Sequence, residues 1–544
     1  MICKNCQKEF NVRPENIAFY QKMQAPTPTY CPSCRFQRRL AVRNERTIYQ
    51  RKCDLCQKPF ISIYSPDKKL TVYCPKCWWS DSWDIFEYGR DYDFSKTFFQ
   101  QYKELRDRTP LIGLTAVAND NSDFTNRSWY CKNCYLSFDV NTDENCMYVE
   151  TCYYNKDLVD VSCTNNSELC YELLNCDHCF NTMYSIYAQD CYESKFLYDC
   201  RSTRHCFMCG NLNNAEYCYK NKQYSEEEYN KIIGQYDLGD YQQRQKAKVE
   251  FTEFMKTIPR RTVMLKSENC SGENLTNCMN SHYSFGSAKL ENCDYCIDST
   301  GMKECYDCDY SGTGGANLCV EGIGYHDNYM CRSSDSNGKI KFSDFCTSCF
   351  NSNYLFGCVS VKKGEYCILN KQYTEDEYNA LVPKIIEQMK KDKEWGEFFP
   401  INISPFGYNE TVAGELFPLT KDQIIAKGYN WQEELDKKYQ SQTYEIPNSI
   451  QNVSTDIIKQ ILACKKCGKN YKIILQELKF YQEQKIPVPQ ECPNCRHLAR
   501  IAQRNPRQLW QRKCSKCGQN MVSTYSPKRP EILYCVECYK KEVY

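Results

Sequence analysis

The chain has 544 residues, 41 of them cysteine and only five histidine, with 70 Lys and Arg against 68 Asp and Glu for a formal charge of +2. A content of 42% hydrophobic and 14% aromatic residues excludes a disordered chain, and no run approaches the ~20 apolar residues of a membrane span. The opening MICKNCQKEF lacks the basic start, apolar stretch and cleavage site of a signal peptide, so the expectation is a cytoplasmic protein. Thiols stay reduced there, and the cysteines read first as metal ligands or buried groups.

Residues 1–80 carry four CxxC pairs: Cys3/Cys6, Cys31/Cys34, Cys53/Cys56 and Cys74/Cys77. Residues 462–544 carry four more, Cys464/Cys467, Cys492/Cys495, Cys514/Cys517 and Cys535/Cys538, each 461 positions after its counterpart. Gln50-Arg51-Lys52-Cys53 and Gln511-Arg512-Lys513-Cys514 follow the same offset, so one module is present twice without an insertion. Zn²⁺ takes four thiolates in a tetrahedron, and two CxxC knuckles supply them. Each module is therefore a double tetrathiolate zinc module, and four zinc ions are expected in all, with structural roles. Sequential pairing is favoured; a cross-braced pairing is the alternative. Each second knuckle runs into helix-friendly sequence, as in Cys31-Pro32-Ser33-Cys34, where Pro suits a helix start. A knuckle, a hairpin and a knuckle at a helix start resembles the treble-clef and zinc-ribbon families.

The charge is unevenly spread. The formal charge is +10 over residues 1–80 and +11 over 462–544, which leaves −19 between them. Arginines cluster after the second knuckle: Arg35, Arg38, Arg39, Arg43, Arg46 and Arg51, echoed by Arg496, Arg500, Arg504, Arg507 and Arg512. On a helix, Arg35, Arg39, Arg43 and Arg46 share one face. The planar guanidinium suits phosphate, so this stripe is the footprint of nucleic-acid binding, led by backbone contacts because no base-reading motif is present. Docking of the stripe on the acidic middle of the same chain, or on another protein, is the rival reading.

Residues 81–130 read as a linker with an amphipathic helix, Asp93 to Asp107, whose Phe94, Phe98, Tyr102 and Leu105 share a face. A Cys-rich repeat body follows in two halves, 131–258 and 259–392, each ending in a helix (224–257 and 374–392). Tyr217-Cys218, Asn221-Lys222-Gln223-Tyr224 and Glu228 recur 149 positions later at Tyr366-Cys367, Asn370-Lys371-Gln372-Tyr373 and Glu377. Cys191, Cys200, Cys209 and Cys218 are spaced by nine, as are Cys349, Cys358 and Cys367. Short strands punctuated by Asn, Asp, Ser and Gly point to an irregular β-solenoid with a period near nine and inward ladders of thiols and tyrosine rings. Six CxxC pairs of the body, such as Cys131/Cys134 and Cys346/Cys349, read as neighbouring inward positions. Further metal in the central body stays open, with His178 and His205 beside cysteines. The glycine cluster at Gly312 reads as a turn.

Residues 393–461 read as a linker with short helices, one capped by Thr420 and stopping at Gly428. The fold expected is mostly β with short helices: two terminal zinc-ribbon or treble-clef modules flanking a Cys/Tyr-rich β-solenoid-like body. Cys31-Pro32-Ser33-Cys34-Arg35-Phe36-Gln37-Arg38-Arg39 and Gln50-Arg51-Lys52-Cys53-Asp54-Leu55-Cys56 make most of the chain resemble a family of uncharacterised Cys-rich bacterial zinc-binding proteins. That resemblance adds a category and no mechanism. No phosphate loop, dinucleotide fingerprint, nucleophile elbow or metalloprotease motif is present, so the expectation is a non-enzymatic zinc-binding protein that contacts nucleic acid. A protein–protein scaffold stabilised by zinc is the alternative, and a metal-storage or redox protein using the central thiols is the second.

Overall fold

The computed structural model describes residues 1–312, 314–434 and 439–543. Two parallel β-solenoids form the body, and their rungs pair residue i with residue i+12: Thr125 with Ser137, Phe138 with Glu150, Leu197 with Cys209. Every third residue from Arg127 to Tyr217 has a positive φ near 50°. Each coil is thus four sides of three residues, and every corner is a residue in the left-handed region. That region costs an ordinary residue roughly 1–2 kcal/mol and is kindest to Asn and Asp, which explains the punctuation by these residues.

The residue after each corner points inward. Cys131, Cys134, Val140, Cys146, Val149, Cys152 and Leu158 form a buried row in this frame, so the spacing of the cysteines is a multiple of three. Cys163 departs from the frame and stands at a corner with φ 54°. The coil is twelve residues and not nine. A spacing of nine is three sides of a coil, and an inward thiol donates to the carbonyl two residues back and to the one nine residues on whatever residue carries it, as when Cys176 reaches Ser185 O at 3.5 Å and Cys206 reaches Ala215 O at 3.7 Å. Cys209 reaches Phe207 O at 3.4 Å and Cys218 O at 3.5 Å; Cys358 reaches Phe356 O at 3.6 Å and Cys367 O at 3.4 Å. Position i+9 is the neighbouring inward residue of the next coil. Inward hydroxyls also accept from the coil above, as when Cys206 N–H donates to Ser194 Oγ at 3.0 Å. Small polar side chains thereby complete the backbone hydrogen bonding of a very narrow core.

Tyrosine was expected inside, but the lumen is too narrow. Tyr148, Tyr184, Tyr187 and Tyr295 stand at corners and face outward. Tyr325 is fully buried and lies in the inward frame, and it fits because Gly322 opposes it: a Cβ there would lie 2.1 Å from the ring.

Both solenoids end alike. Asn221 exchanges hydrogen bonds with Gly210 N–H and C=O at 2.9 and 2.8 Å, and Asn370 does so with Val359 at 2.9 and 2.9 Å, 149 residues later. An antiparallel strand then closes the sheet edge in each (Lys222–Gln223 and Lys371–Gln372). The helices that follow, Glu226–Ile233 and Glu375–Lys391, start with the same capping box, Ser225 with Glu228 and Thr374 with Glu377. In the first half a second helix, Tyr241–Met255, completes the stretch expected over 224–257. In the second solenoid the rung Met302 to Ala316 spans 14 residues instead of 12, so the turn expected at Gly312 is a two-residue insertion in one coil. Upstream of it the offset between the solenoids falls from 149 to 147, which matches Asp307 to Asp160 and Tyr295 to Tyr148.

The linker helix runs Phe98–Arg108, capped by Thr97 Oγ1, and starts later than the expected Asp93. Phe98, Tyr102 and Leu105 are buried, whereas Phe94 precedes the helix and is exposed. Thr420 caps Lys421–Ala426 as expected, and Gly428 follows with φ 70°. Among the described residues no helix is long and apolar enough to cross a membrane.

Candidate metal centres

The first and third knuckles of each module are tight turns followed by a left-handed residue. Gln7 and Gln57 adopt φ 58° and 60°, and glycine stands at the matching Gly468 and Gly518 (φ 75° and 74°). The second knuckle opens a helix: Pro32–Leu40 follows Cys31, and Pro493–Ile501 follows Cys492. The third is the loop of an antiparallel hairpin, Tyr49–Lys52 with Pro59–Ser62, and Trp510–Lys513 with Asn520–Ser523.

These elements bring the cysteines together in sequential pairs of knuckles. The tetrads are Cys3, Cys6, Cys31, Cys34; Cys53, Cys56, Cys74, Cys77; Cys464, Cys467, Cys492, Cys495; and Cys514, Cys517, Cys535, Cys538. Within each, all four sulfurs lie within 4.8 Å of one another, and each tetrad can hold a metal ion. Cys6 and Cys31 sulfurs are 3.7 Å apart, as are those of Cys467 with Cys492 and Cys517 with Cys535. A tetrahedron with metal–sulfur bonds of about 2.3 Å has an edge of about 3.8 Å. Backbone N–H groups also point at the sulfurs: Cys31 to Cys3 at 3.2 Å, Cys74 to Cys53 and Cys535 to Cys514 at 3.3 Å. At Cys514 burial opposes the thiolate, but N–H groups of Cys517, Cys535 and Lys516 outweigh it and bring the thiol down to about 6. In the same tetrad burial and the neighbouring sulfurs push the Cys538 thiol up to about 12, so the four sulfurs do not all ionise without a cation among them.

The arginines lie elsewhere than the sequence stripe suggested. The first helix ends at Leu40, so Arg43 and Arg46 sit in the turn beyond it, and Arg504 and Arg507 likewise lie beyond Ile501. Most are turned inward. Arg39, fully buried, donates from Nε to Asp309 at 2.6 Å and from Nη1 to Glu321 at 2.8 Å and Asp307 at 3.3 Å. Arg35 Nε meets Asp307 at 2.9 Å. Arg43 pairs with Glu45, and Arg46 with Glu150 at 3.6 Å. Arg38 meets Glu397 at 3.0 Å; Arg51 meets Asp54 at 3.1 Å.

The second module repeats this on the other solenoid. Arg496 Nε meets Asp160 at 2.8 Å, and Arg500 Nη1 meets it at 2.7 Å. Arg35 lies 4.9 Å from the Tyr295 ring and Arg496 4.8 Å from the Tyr148 ring. Tyr295 OH donates to Asn16, and Tyr148 OH to the equivalent Glu477. Arg507 pairs with Asp298, Arg504 contacts Cys163, and Arg512 donates to Tyr525 O at 3.1 Å. The N-terminal module's helix Pro32–Leu40 therefore seats on the second solenoid and the C-terminal module's helix Pro493–Ile501 on the first, while Arg46 and Arg507 beyond the helices reach the other solenoid in each case. Offered on the sequence to nucleic acid, these arginines are used inside the molecule. Their partners Asp160, Asp307, Asp309 and Glu321 were missed, and the −19 charge of the middle was the signal that pointed to them.

The central CxxC pairs are adjacent inward positions and form none of the four tetrads. Burial pushes the Cys170 thiol up to about 12 and lifts Cys200 well above the ordinary thiol range, so these two stay protonated. In the stacked column Cys293, Cys305, Cys319 and Cys331 the direction alternates, because each sulfur bonds to the next. His178 faces outward beside Asp177, and His205 stacks on Tyr217 at 4.9 Å.

No protein-family model matches the chain, and no curated protein matches it. Among solved structures, a protein from Desulfovibrio desulfuricans G20 named provisionally as an acetyltransferase aligns at 7% identity over 57% of this chain and 88% of that one, with a TM-score of 0.11. A likeness that low carries no argument.

Proposed function

We propose that this chain is a non-enzymatic binding scaffold in which four structural zinc ions hold two clamps on a solenoid body. The observation that carries the reading is the fate of the arginine rows: body carboxylates neutralise Arg35, Arg39, Arg496 and Arg500 in buried pairs. Zinc is the metal whose preference matches a closed set of four thiolates at these spacings. Forty-one free thiols suit a reducing compartment, in keeping with a cytoplasmic protein. A solenoid surface joined to rigid end modules suits extended partners.

The nucleic-acid reading loses its arginines to internal pairs and keeps the exposed lysines, among them Lys4, Lys8, Lys52, Lys465, Lys466 and Lys513. Use of the central thiols for storage or redox chemistry is disfavoured by their hydrogen bonds to backbone carbonyls. One purified sample separates the three. Four zinc per chain, with RNA and duplex DNA retention showing no steep decline between about 50 and 200 mM salt, supports the scaffold. A steep decline returns the protein to nucleic acid, through its lysines. Metal well above four per chain, or coloured iron, would move the function to the central thiols.

A further inference from the structure

Where the two arginine rows converge, a cavity of about 200 Å³ opens between the helix Pro32–Leu40, the second solenoid, Phe417 and the stretch 501–508. It communicates with solvent past the exposed Ser33, Pro506 and Gln508. Phe36, Tyr283 and Phe417 line it, with Arg39 and Arg504.

The duplication supplies an internal comparison. Under the 461 offset Arg504 matches Arg43, and Pro506 matches Glu45; under the 147 offset Ile297 matches Glu150. In the counterpart location two carboxylates stand beside the arginines: Glu45 pairs with Arg43, and Glu150 lies 3.0 Å from His497 Nδ1 and 3.6 Å from Arg46. At the cavity both carboxylates are replaced, by Pro506 and Ile297, and both replacements line it. Arg504 is left with the Cys163 thiol as its nearest partner, while Asp298, bound to Arg507, and Glu150 act on it at longer range. Its Nε is buried without a hydrogen bond, and so is Nη2 of the fully buried Arg39. Burial holds the Cys163 thiol up at about 12 despite Arg504, so that partner brings no counter-charge. Unpaired buried guanidinium nitrogens are costly, and an anion that supplies the missing acceptors gains what their desolvation lost.

We propose that this cavity binds a small planar organic anion, whose carboxylate or phosphate takes the place that Glu45 and Glu150 fill in the counterpart and whose flat body lies among Phe36, Tyr283 and Phe417. The site goes beyond the scaffold reading and does not depend on it. The test is calorimetric titration of the full zinc-loaded chain with salicylate, adenosine 5′-monophosphate, inorganic phosphate and the neutral salicylamide. Salicylate or the nucleotide should bind measurably at low salt, and at least tenfold more tightly than phosphate or salicylamide. Arg504→Gln should weaken that binding at least tenfold. Pro506→Glu, which restores the counterpart's carboxylate without removing a side chain from the core, should abolish it while leaving zinc content and melting temperature in place. The proposal is overturned if neither planar anion binds, if phosphate alone binds as well, or if Pro506→Glu binds as tightly as the parent.

Discussion

Arg39 Nε donates to Asp309 Oδ2 at 2.6 Å, and both side chains are wholly removed from solvent. Removing one member of such a pair strands the other charges, a loss of about 3–5 kcal/mol. Arg39→Ala leaves Asp307, Asp309 and Glu321 together without their main counter-ion and should lower unfolding stability in urea by that amount. Arg500→Ala, which leaves Asp160 with Arg496, should cost less.

Glu273 is buried, accepting from Val263 N–H at 2.8 Å and from Thr524 Oγ1 at 2.7 Å, which ties the second solenoid to the C-terminal module. Burial outweighs these donors and lifts its carboxyl from 4.5 to about 7. The folded state thus keeps a proton that the unfolded state gives up. The contribution is fully present below about pH 4.5 and is lost as pH rises through about 7, amounting to about 3 kcal/mol. Glu273→Gln imitates the protonated form and should flatten this slope. Parallel urea titrations at intervals across that window check it; equal slopes in the two proteins would refute it.

Metal content distinguishes the two cysteine populations. Cys34→Ser should remove one zinc per chain and loosen the docking of Arg35 and Arg39, seen as faster amide exchange in Pro32–Leu40. Cys200→Ser alters an inward position where serine is a common occupant, and elemental analysis should return an unchanged count.

The solenoid lumen should respond to volume at single positions. Leu197→Ala removes a fully buried side chain and should cost about 2–5 kcal/mol. Gly322→Ala forces a methyl into the Tyr325 ring and should cost about 1–3 kcal/mol. Pairing it with Tyr325→Leu should recover most of that loss in melting temperature, whereas an additive double variant would mean the two residues do not oppose each other.

The tetrads were legible because a CxxC knuckle is local geometry, and the grouping is the sequential one that was favoured over the cross-braced alternative. The helix cap at Thr420 was legible for the same local reason. The coil length was not: inward positions recur every three residues, so thiols can fall nine apart while the backbone repeats at twelve. The frame of three was present in Cys131, Cys134, Cys146 and Cys152, where it looked like drift. Tyrosines were misplaced because burial of Tyr148 comes from the C-terminal module covering it, a contact that no period within the body encodes. Likewise, spacing placed Arg35 and Arg39 on a common face but could not say what covers that face.

The crossed seating of the modules has a consequence for the order of synthesis. Arg35 is translated 272 residues before its partner Asp307. At roughly 5–20 residues per second that is a delay on the order of 15–55 s. Throughout it the first clamp stands outside the ribosome with Arg35 and Arg39 lacking the carboxylates they will grip. The last clamp meets the opposite situation, since the coil bearing Asp160 has long been complete when Arg496 appears. Two copies of one module, with nearly the same contacts, thus arrive at their seats by unequal routes: the early one must wait, exposed to passing anions and to neighbouring nascent chains, and the late one closes at once.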